Sequence, residues 1–211
     1  MSETWTRYYD AVGDEPRETL VKALDRFEQE AAARSGEPFA VDLGCGSGRD
    51  TAELLERGWR VLAIDSEPAG IDRLVERLVG TPGAHRLETL VARFEDASWP
   101  TADLVNSSFA LPFCPPDAFE VVWDRIVASL RPGGRFSGQL FGDRDEWASR
   151  SRASARDWAS PPAMSFHSRD DVLSLLEELE VEHLDEVDED GTTAVGDPKH
   201  WHLFHVVARK R

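Results

Sequence analysis

The sequence predicts an α/β fold, a mostly parallel sheet covered by helices on both faces. Three observations predict it. Between residues 39 and 141, short apolar runs alternate with amphipathic helical patterns, the rhythm of βαβ units, and parallel strands of that kind are buried on both sides. The first apolar run enters the stretch VDLGCGSGRD, residues 41–50, with Gly44, Gly46 and Gly48 on alternate positions. The last third then breaks the rhythm: two strand-like segments flank Gly191, and two strands joined by a turn close a sheet as an antiparallel hairpin.

The elements follow in order. An aromatic-rich opening, WTRYYD, precedes a helix over 14–36 that carries Leu20, Leu24, Phe27 and Ala31 at steps of three and four and ends near Gly36. FAVDL (39–43) reads as a buried strand, RDTAELLERG (49–58) as a helix stopped at Gly58, and RVLAID (60–65) as a second buried strand. EPAGIDRLVERLVG (67–80) places Ile71, Leu74, Val75 and Leu78 on one helical face. LETLVARF (87–94) and ADLVNSSF (102–109) make the third and fourth strands. The helix of 115–134 turns Phe119, Val122, Ile126 and Leu130 inward and ends at Pro132 and two glycines, before a fifth strand, RFSGQLF (135–141). A helix over 169–180 leads to EHLDEVDED and KHWHLFHVVARKR, the two arms of the hairpin; the acidic run Glu177 to Asp190 reads as a solvated face and turn.

Bulk properties narrow the function. A chain of 211 residues fits one domain, with residues 1–35 as an N-terminal lid and helix, 39–142 as a ligand-binding core, and 143–211 as a substrate-side loop, helix and hairpin. The net charge of −16 repels phosphate backbones and speaks against nucleic-acid partners. No run is apolar enough to span a bilayer, and the first ten residues lack the pattern of a signal peptide. Cys45 and Cys114 alone make no disulfide framework, so a reducing cytoplasm is the expected location, for a monomer or homodimer.

A strand, a glycine turn and a helix form a cradle for nucleotide-like ligands. The dinucleotide fingerprint is G-x-G-x-x-G, whereas here the spacing is G-x-G-x-G with Asp42 two residues before it. A carboxylate in that place is awkward for a pyrophosphate and useful for an ammonium group. An NAD-dependent oxidoreductase therefore fits poorly.

The pattern D-x-G-x-G-x-G resembles motif I of the class I S-adenosylmethionine-dependent methyltransferases, and the later elements arrive in that family's order over most of the chain. DLGCGSGRDT and the small size are most similar to its tellurite-resistance-type and thiopurine-like small-molecule branch. The resemblance implies a Rossmann-like, doubly wound, mostly parallel seven-stranded sheet with an antiparallel C-terminal strand. It implies S-adenosyl-L-methionine as cofactor and a small-molecule methyl acceptor. Asp65, 23 residues after Asp42, would chelate the two ribose hydroxyls with Ser66 beside it. Asp96 would accept from the adenine amine while the Ala97 N–H meets the ring. Gly44, Cys45, Gly46 and Gly48 would bring backbone to the methionine portion, Asp42 would hold its ammonium, and Arg49 or a loop N–H its carboxylate. Asp50 stands in the first helical turn, where the dipole favours an acid whether or not it touches ligand.

Other signals are weaker. Asn106 follows the fourth strand where DNA amino-methyltransferases begin an N-P-P-Y motif, but Ser107 and Ser108 replace both prolines, which speaks against base methylation. Tyr8, Tyr9 and Arg17 read as parts of a lid or as a packed staple. Cys114 between prolines reads as a small hydrophobe rather than a nucleophile. Asp143, Arg144, Asp145 and Trp147 follow the fifth strand as pocket groups or solvated loop. His200 and His202 share a strand face that His205 does not, so no metal site is expected from the three; a His there serves as substrate contact, base or structure. Asn106, Asp143 and His202 are the catalytic candidates. A methyltransferase is the leading expectation, with a non-catalytic S-adenosylmethionine-binding accessory or sensor protein as the alternative.

Overall fold

The computed structural model describes residues 3–30, 36–153 and 164–211. The chain runs α1 (Glu3–Ala11), α2 (Glu18–Gln29), β1 (Phe39–Leu43), α3 (Arg49–Glu56), β2 (Arg60–Asp65), α4 (Pro68–Leu78), β3 (Leu87–Val91), β4 (Ala102–Ser107), α5 (Pro116–Ser129), β5 (Leu130–Gly142), α6 (Glu146–Ala153), β6 (Phe166–His167), α7 (Arg169–Leu175), β7 (Leu179–Thr192) and β8 (Pro198–Lys210). Seven strands lie in the order β3-β2-β1-β4-β5-β8-β7, and the two-residue β6 adds an eighth beside β5. The neighbouring pairs from β3 through β5 are parallel; β8 runs antiparallel to both β5 and β7. Strand order reverses between β1 and β4, so a crevice opens beyond their carboxyl ends, the place where doubly wound sheets bind ligands.

Helices cover both faces, as the alternating pattern predicts. On one face Leu20, Leu24 and Phe27 of α2, Leu54 and Leu55 of α3, and Ile71, Leu74 and Leu78 of α4 pack on Ala40, Val61, Ala63 and Leu104. On the other, Phe119, Val122, Trp123 and Ile126 of α5 and Val172 of α7 pack on Val41, Val105, Phe136 and Phe204. Burying each large apolar side chain contributes about 1.5–3 kcal/mol before entropy is counted. A third cluster, Phe141, Trp147, Met164 and Leu203, caps the carboxyl end of β5. Arg135, fully buried in β5, clamps α2 and β7 to the sheet: Nη2 lies 2.7 Å from Glu30 and Nε 2.6 Å from Glu182, with the guanidinium over the Phe27 ring.

Several boundaries differ from those the sequence predicts. The aromatic opening is itself a helix, α1, with Trp5, Tyr8 and Tyr9 at helical spacing and clustered on one another. The Arg131–Gly134 stretch lies inside β5 and is not a helix cap: between the pairs Ala102↔Leu130 and Leu104↔Arg135 the register shifts, and Gly133 supplies a φ of 77°. β3 stops at Val91 and β4 at Ser107, each short of the predicted end, because the chain turns there into loops over the crevice. α7 stops at Leu175, and β7 begins at Leu179, taking the residues the helical pattern claimed. Ala31 lies in residues 31–35, outside those described; α2 spans Glu18–Gln29, and Gly36, near which the helix was predicted to end, lies in a bend.

Candidate functional site

The glycine loop joins β1 to α3 with φ of 72° at Gly44, 53° at Gly46 and 84° at Gly48, all in the left-handed region that penalises a side chain. Space is restricted as well: a Cβ on Gly44 would strike Ala110, and one on Gly48 would strike Leu74. The loop's donors are largely spent on the protein. Gly44 and Cys45 N–H donate to the Ile64 carbonyl, Gly48 N–H to Cys45, and Gly46 N–H to Asp65 Oδ2 at 2.8 Å. A phosphate cradle needs such donors free.

Behind the loop lies a buried acidic node. Asp42, at the end of β1, accepts from Thr51 Oγ1 at 2.5 Å and from Asn106 Nδ2 at 3.0 Å. The same Asn106 nitrogen donates to Asp50 Oδ2 at 3.0 Å, and the Arg17 backbone N–H donates to Asp50 Oδ1 at 2.8 Å. Ser137 Oγ donates to Asn106 Oδ1, which fixes the amide's orientation. Asp42 and Asp50 are 1% and 3% exposed, and burial together with the neighbouring Asp50 pushes the Asp42 carboxyl up to about 7. Such a node invites a cation.

Asp65 ends β2 with Oδ2 held by Gly46 N–H and Oδ1 by Glu67 N–H, both at 2.8 Å. Each oxygen keeps a lone pair for another donor. Burial raises its pKa, against the pull of those backbone bonds.

α1 roofs the loop. A Cβ on Gly46 would lie 3.2 Å from Tyr9 Cε1, and one on Gly70 would lie 3.0 Å from the Tyr9 hydroxyl. Burial, with Asp65 next, holds the Tyr9 phenol well above its usual range, so it stays protonated. Trp5 stacks on Tyr9 and meets Phe113 edge-on at 5.3 Å, while ion pairs Arg73–Asp10 and Arg77–Asp14 pin the segment to α4. The cleft under this roof encloses about 40 Å³ of free space, with Tyr8, Arg17, Arg49 and Ser108 in its lining. Arg49 gives Nη1 to the Gly13 carbonyl, and its buried Nη2 has no partner.

Tyr9, Arg17, Asp42, Gly44, Cys45, Gly46, Arg49 and Asp50 therefore line one cleft, with Gly48, Asp65 and Asn106 directly behind it. The other sequence candidates lie elsewhere. Ser66 is exposed beyond Asp65, and Asp96 is exposed in the turn after β3. The Ala97 N–H, which the resemblance gives to the adenine ring, donates to the Arg93 carbonyl at 2.9 Å. His202 shares the sheet face of Phe204 and is fully buried: Nδ1 accepts from the Arg144 N–H and Nε2 lies 3.1 Å from Glu186. Asp143 is exposed, 3.5 Å from the His202 ring. The three catalytic candidates are thus not brought together. His200 bridges Asp188 and Asp190 at the sheet edge, and His205 faces the opposite side, against Gln139. Cys114 is buried, which pushes its thiol up to about 12.

Thr51 and Ser137, which bond Asp42 and Asn106, and Gln139, which bonds Thr19 and the Phe109 N–H, support the candidate site and were missed by sequence reasoning. Ser137 and Gln139 carried a signal, polar side chains two apart in a central strand and so on one face.

Comparisons with known proteins fit this geometry. Residues 40–134, β1 through the start of β5, match a family model described as a methyltransferase domain. Carboxy-S-adenosyl-L-methionine synthase of Trichlorobacter lovleyi is 33% identical over 110 residues, 49% of this chain and 45% of that protein. The match thus spans less than half the length of this curated relative. Among solved structures, TehB from Haemophilus influenzae superimposes with a TM-score of 0.66 at 17% identity, over 87% of this chain and 61% of that one. The 1,6-didemethyltoxoflavin-N1-methyltransferase of Burkholderia thailandensis gives 0.61 at 22% identity, over 92% and 78%.

Proposed function

We propose that the chain is a class I S-adenosylmethionine-dependent methyltransferase that methylates a small-molecule acceptor in the cleft under α1, a reading supported by the methyltransferase-domain match over residues 40–134. The observation that carries the reading is the pairing of opposite demands in that cleft. Buried Asp42 and Asp50 call for a cation, and the orphaned Nη2 of Arg49 calls for an anion. The ammonium and carboxylate of the cofactor's methionine portion answer both. Asp65, held by two loop N–H groups, is offered to the ribose hydroxyls.

S-adenosylmethionine supplies an already activated methyl group, so the protein has to orient the acceptor and keep water out. The Asn106–Asp42–Asp50 node orients the methionine end, and Tyr9 with Trp5 closes the cleft above Gly46. The narrow space beneath α1 makes its opening the step that admits a nucleoside-sized ligand. That roof favours a small acceptor over a macromolecule, as does the net charge of −16.

The test is transfer of a tritiated methyl group from S-adenosylmethionine to a fractionated metabolite extract, with mass identification of the labelled product and of the recovered cofactor. One labelled small metabolite is the expected result. Label in protein or nucleic acid refutes the reading, and tight cofactor binding without any product makes the chain a sensor or accessory protein. The relatives named carboxy-S-adenosyl-L-methionine synthase favour a second reading, chemistry on the cofactor itself, which the recovered cofactor's mass reports.

A further inference from the structure

Two guanidiniums enter the cleft, Arg17 and Arg49, and neither forms an ion pair with a described carboxylate. Other arginines of this acidic chain are better satisfied: Arg57, Arg73, Arg77, Arg135 and Arg144 each sit on one or more carboxylates, and Arg86 and Arg125 each donate to two or more backbone carbonyls. Two unpaired guanidiniums so close repel one another, and burial followed by Arg17 lowers the Arg49 pKa. Such a pair is stable next to anions. The methionine carboxylate of the cofactor accounts for one guanidinium, and Arg49, the first residue of α3 beside the glycine loop, is placed for it. Arg17 remains.

Its surroundings describe what it takes. The Arg17 backbone is bolted to the site through Asp50, while its guanidinium sits over the Phe109 ring, 4.3 Å from the centroid, on the β4 side of the cleft. Phe109 is the one non-glycine residue with positive φ, 53°, among the described residues. It is held so by its N–H donating to Gln139 Oε1 at 2.9 Å, with Gln139 Nε2 in turn bonded to Thr19. Backbone strain of this kind persists only where surrounding contacts impose it, and it concentrates at binding sites. Beyond Phe109 the half-buried rings of Trp201 and His205 continue the surface at 6.2 and 6.3 Å. A guanidinium stacked on a ring at the edge of an aromatic surface presents two parallel N–H donors to a flat, ring-borne anion.

We propose that Arg17 on its Phe109 platform is the specificity-determining residue of the acceptor site, and that the acceptor is a small aromatic carboxylate. The inference rests on the reading of this cleft as the S-adenosylmethionine site.

The experiment uses the full chain loaded with S-adenosylhomocysteine and three probes of one shape: 2-naphthoate, 2-naphthylmethanol and 2-naphthylmethylamine. Calorimetry is expected to show 2-naphthoate binding at least tenfold tighter than the alcohol, and the amine weakest. Arg17→Gln should reduce that preference to twofold or less while leaving S-adenosylhomocysteine affinity within threefold. Arg49→Gln should do the reverse, weakening S-adenosylhomocysteine tenfold or more. Arg17→Lys, which keeps the charge and loses the planar fork, should retain part of the preference and serves if the Gln variant does not fold. Equal binding of the three probes, no binding of 2-naphthoate, or a preference surviving in Arg17→Gln overturns the proposal. So does loss of S-adenosylhomocysteine binding in Arg17→Gln, which would place that guanidinium on the cofactor. If wild type fails to bind S-adenosylhomocysteine at all, the cofactor reading itself has failed.

Discussion

Asp42→Asn should stabilise the cofactor-free protein and disable cofactor binding. Raising a buried acid from 3.8 to about 7 makes its ionised form unfavourable by about 4 kcal/mol, an order-of-magnitude figure. The sign follows from the direction of the shift. The folded pKa lies above the unfolded one, so the folded state holds the proton more tightly, and stability falls as pH rises from about 4 to about 7, then levels off. Asparagine keeps the hydrogen-bond geometry, its oxygen facing Asn106 Nδ2 and its amide facing Thr51 Oγ1. Allowing for imperfect replacement, a gain of about 1–3 kcal/mol at pH 8 corresponds to a melting point higher by roughly 3–8 °C for a chain of this size. At pH 4 the gain should vanish. Binding shows the opposite sign: a ligand ammonium beside Asp42 holds it ionised, so wild-type affinity should fall about tenfold for each pH unit below 7. Calorimetry in two buffers of different ionisation enthalpy should register release of about half a proton at pH 7. Asp42→Asn should bind S-adenosylhomocysteine at least thirtyfold more weakly and release none, consistent with about 2 kcal/mol or more for a charge-assisted contact. A variant that melts with wild type at pH 8, or a wild-type affinity flat from pH 5.5 to 8.5, would refute the reasoning.

Asp65→Ala removes the ribose acceptor and unties Gly46 and Glu67 N–H, so affinity for S-adenosylhomocysteine should drop tenfold or more; binding within twofold of wild type in a folded variant shows Asp65 misassigned. Arg135→Met leaves Glu30 and Glu182 without their common cation, and denaturant unfolding should report a loss of about 3–5 kcal/mol, partly restored by adding Glu182→Gln. An unchanged midpoint would show the clamp to be ornamental. Deleting residues 1–12 takes away the Tyr9 roof and the Trp5 contact but leaves the sheet, which starts at Phe39. Cofactor release measured by stopped flow should quicken far more than the melting temperature falls; a lower melting temperature with unchanged release makes α1 a staple only.

What the sequence disclosed depended on distance along the chain. The glycine loop, Asp42 and Asp50 lie within nine residues, and the acid ending β2 follows on the next strand, so local pattern exposed them. Asn106, which lies in β4, was legible only by its place near the end of the fourth strand, because its partners Asp42 and Asp50 are 64 and 56 residues away. α1 was read as a segment and not as a helix, since its stabilising partners, Gly46, Gly70, Arg73 and Phe113, all come from other elements. Gly133 and Gly134 resemble a helix stop in sequence, and only pairing with β4 turns them into a bulge of β5. His202 lies among apolar neighbours and a polar tip in any local view; its lock between Arg144 N–H and Glu186 is a product of hairpin register.

That lock bears on mechanism. With Nδ1 taking a backbone N–H and Nε2 on Glu186, His202 has no lone pair to offer an acceptor, and Asn106 is occupied by two carboxylates. Asp143 lies with His202, not among the groups lining the cleft. An acceptor that arrives already ionised requires no general base, since its oxygen is a nucleophile at neutral pH. An aromatic carboxylate held by Arg17 meets that condition, so neither Tyr8 in the cleft lining nor His205 beside Phe109 has to take a proton from it. The kinetic consequence is specific. The pH dependence of transfer should enter through cofactor binding at Asp42, so kcat/KM for S-adenosylmethionine declines below pH 7 while kcat stays level from pH 6 to 8.5. A kcat that climbs tenfold per pH unit across that range would reveal a base titrating in the complex, and would send the search back to the side chains around β5 and β8.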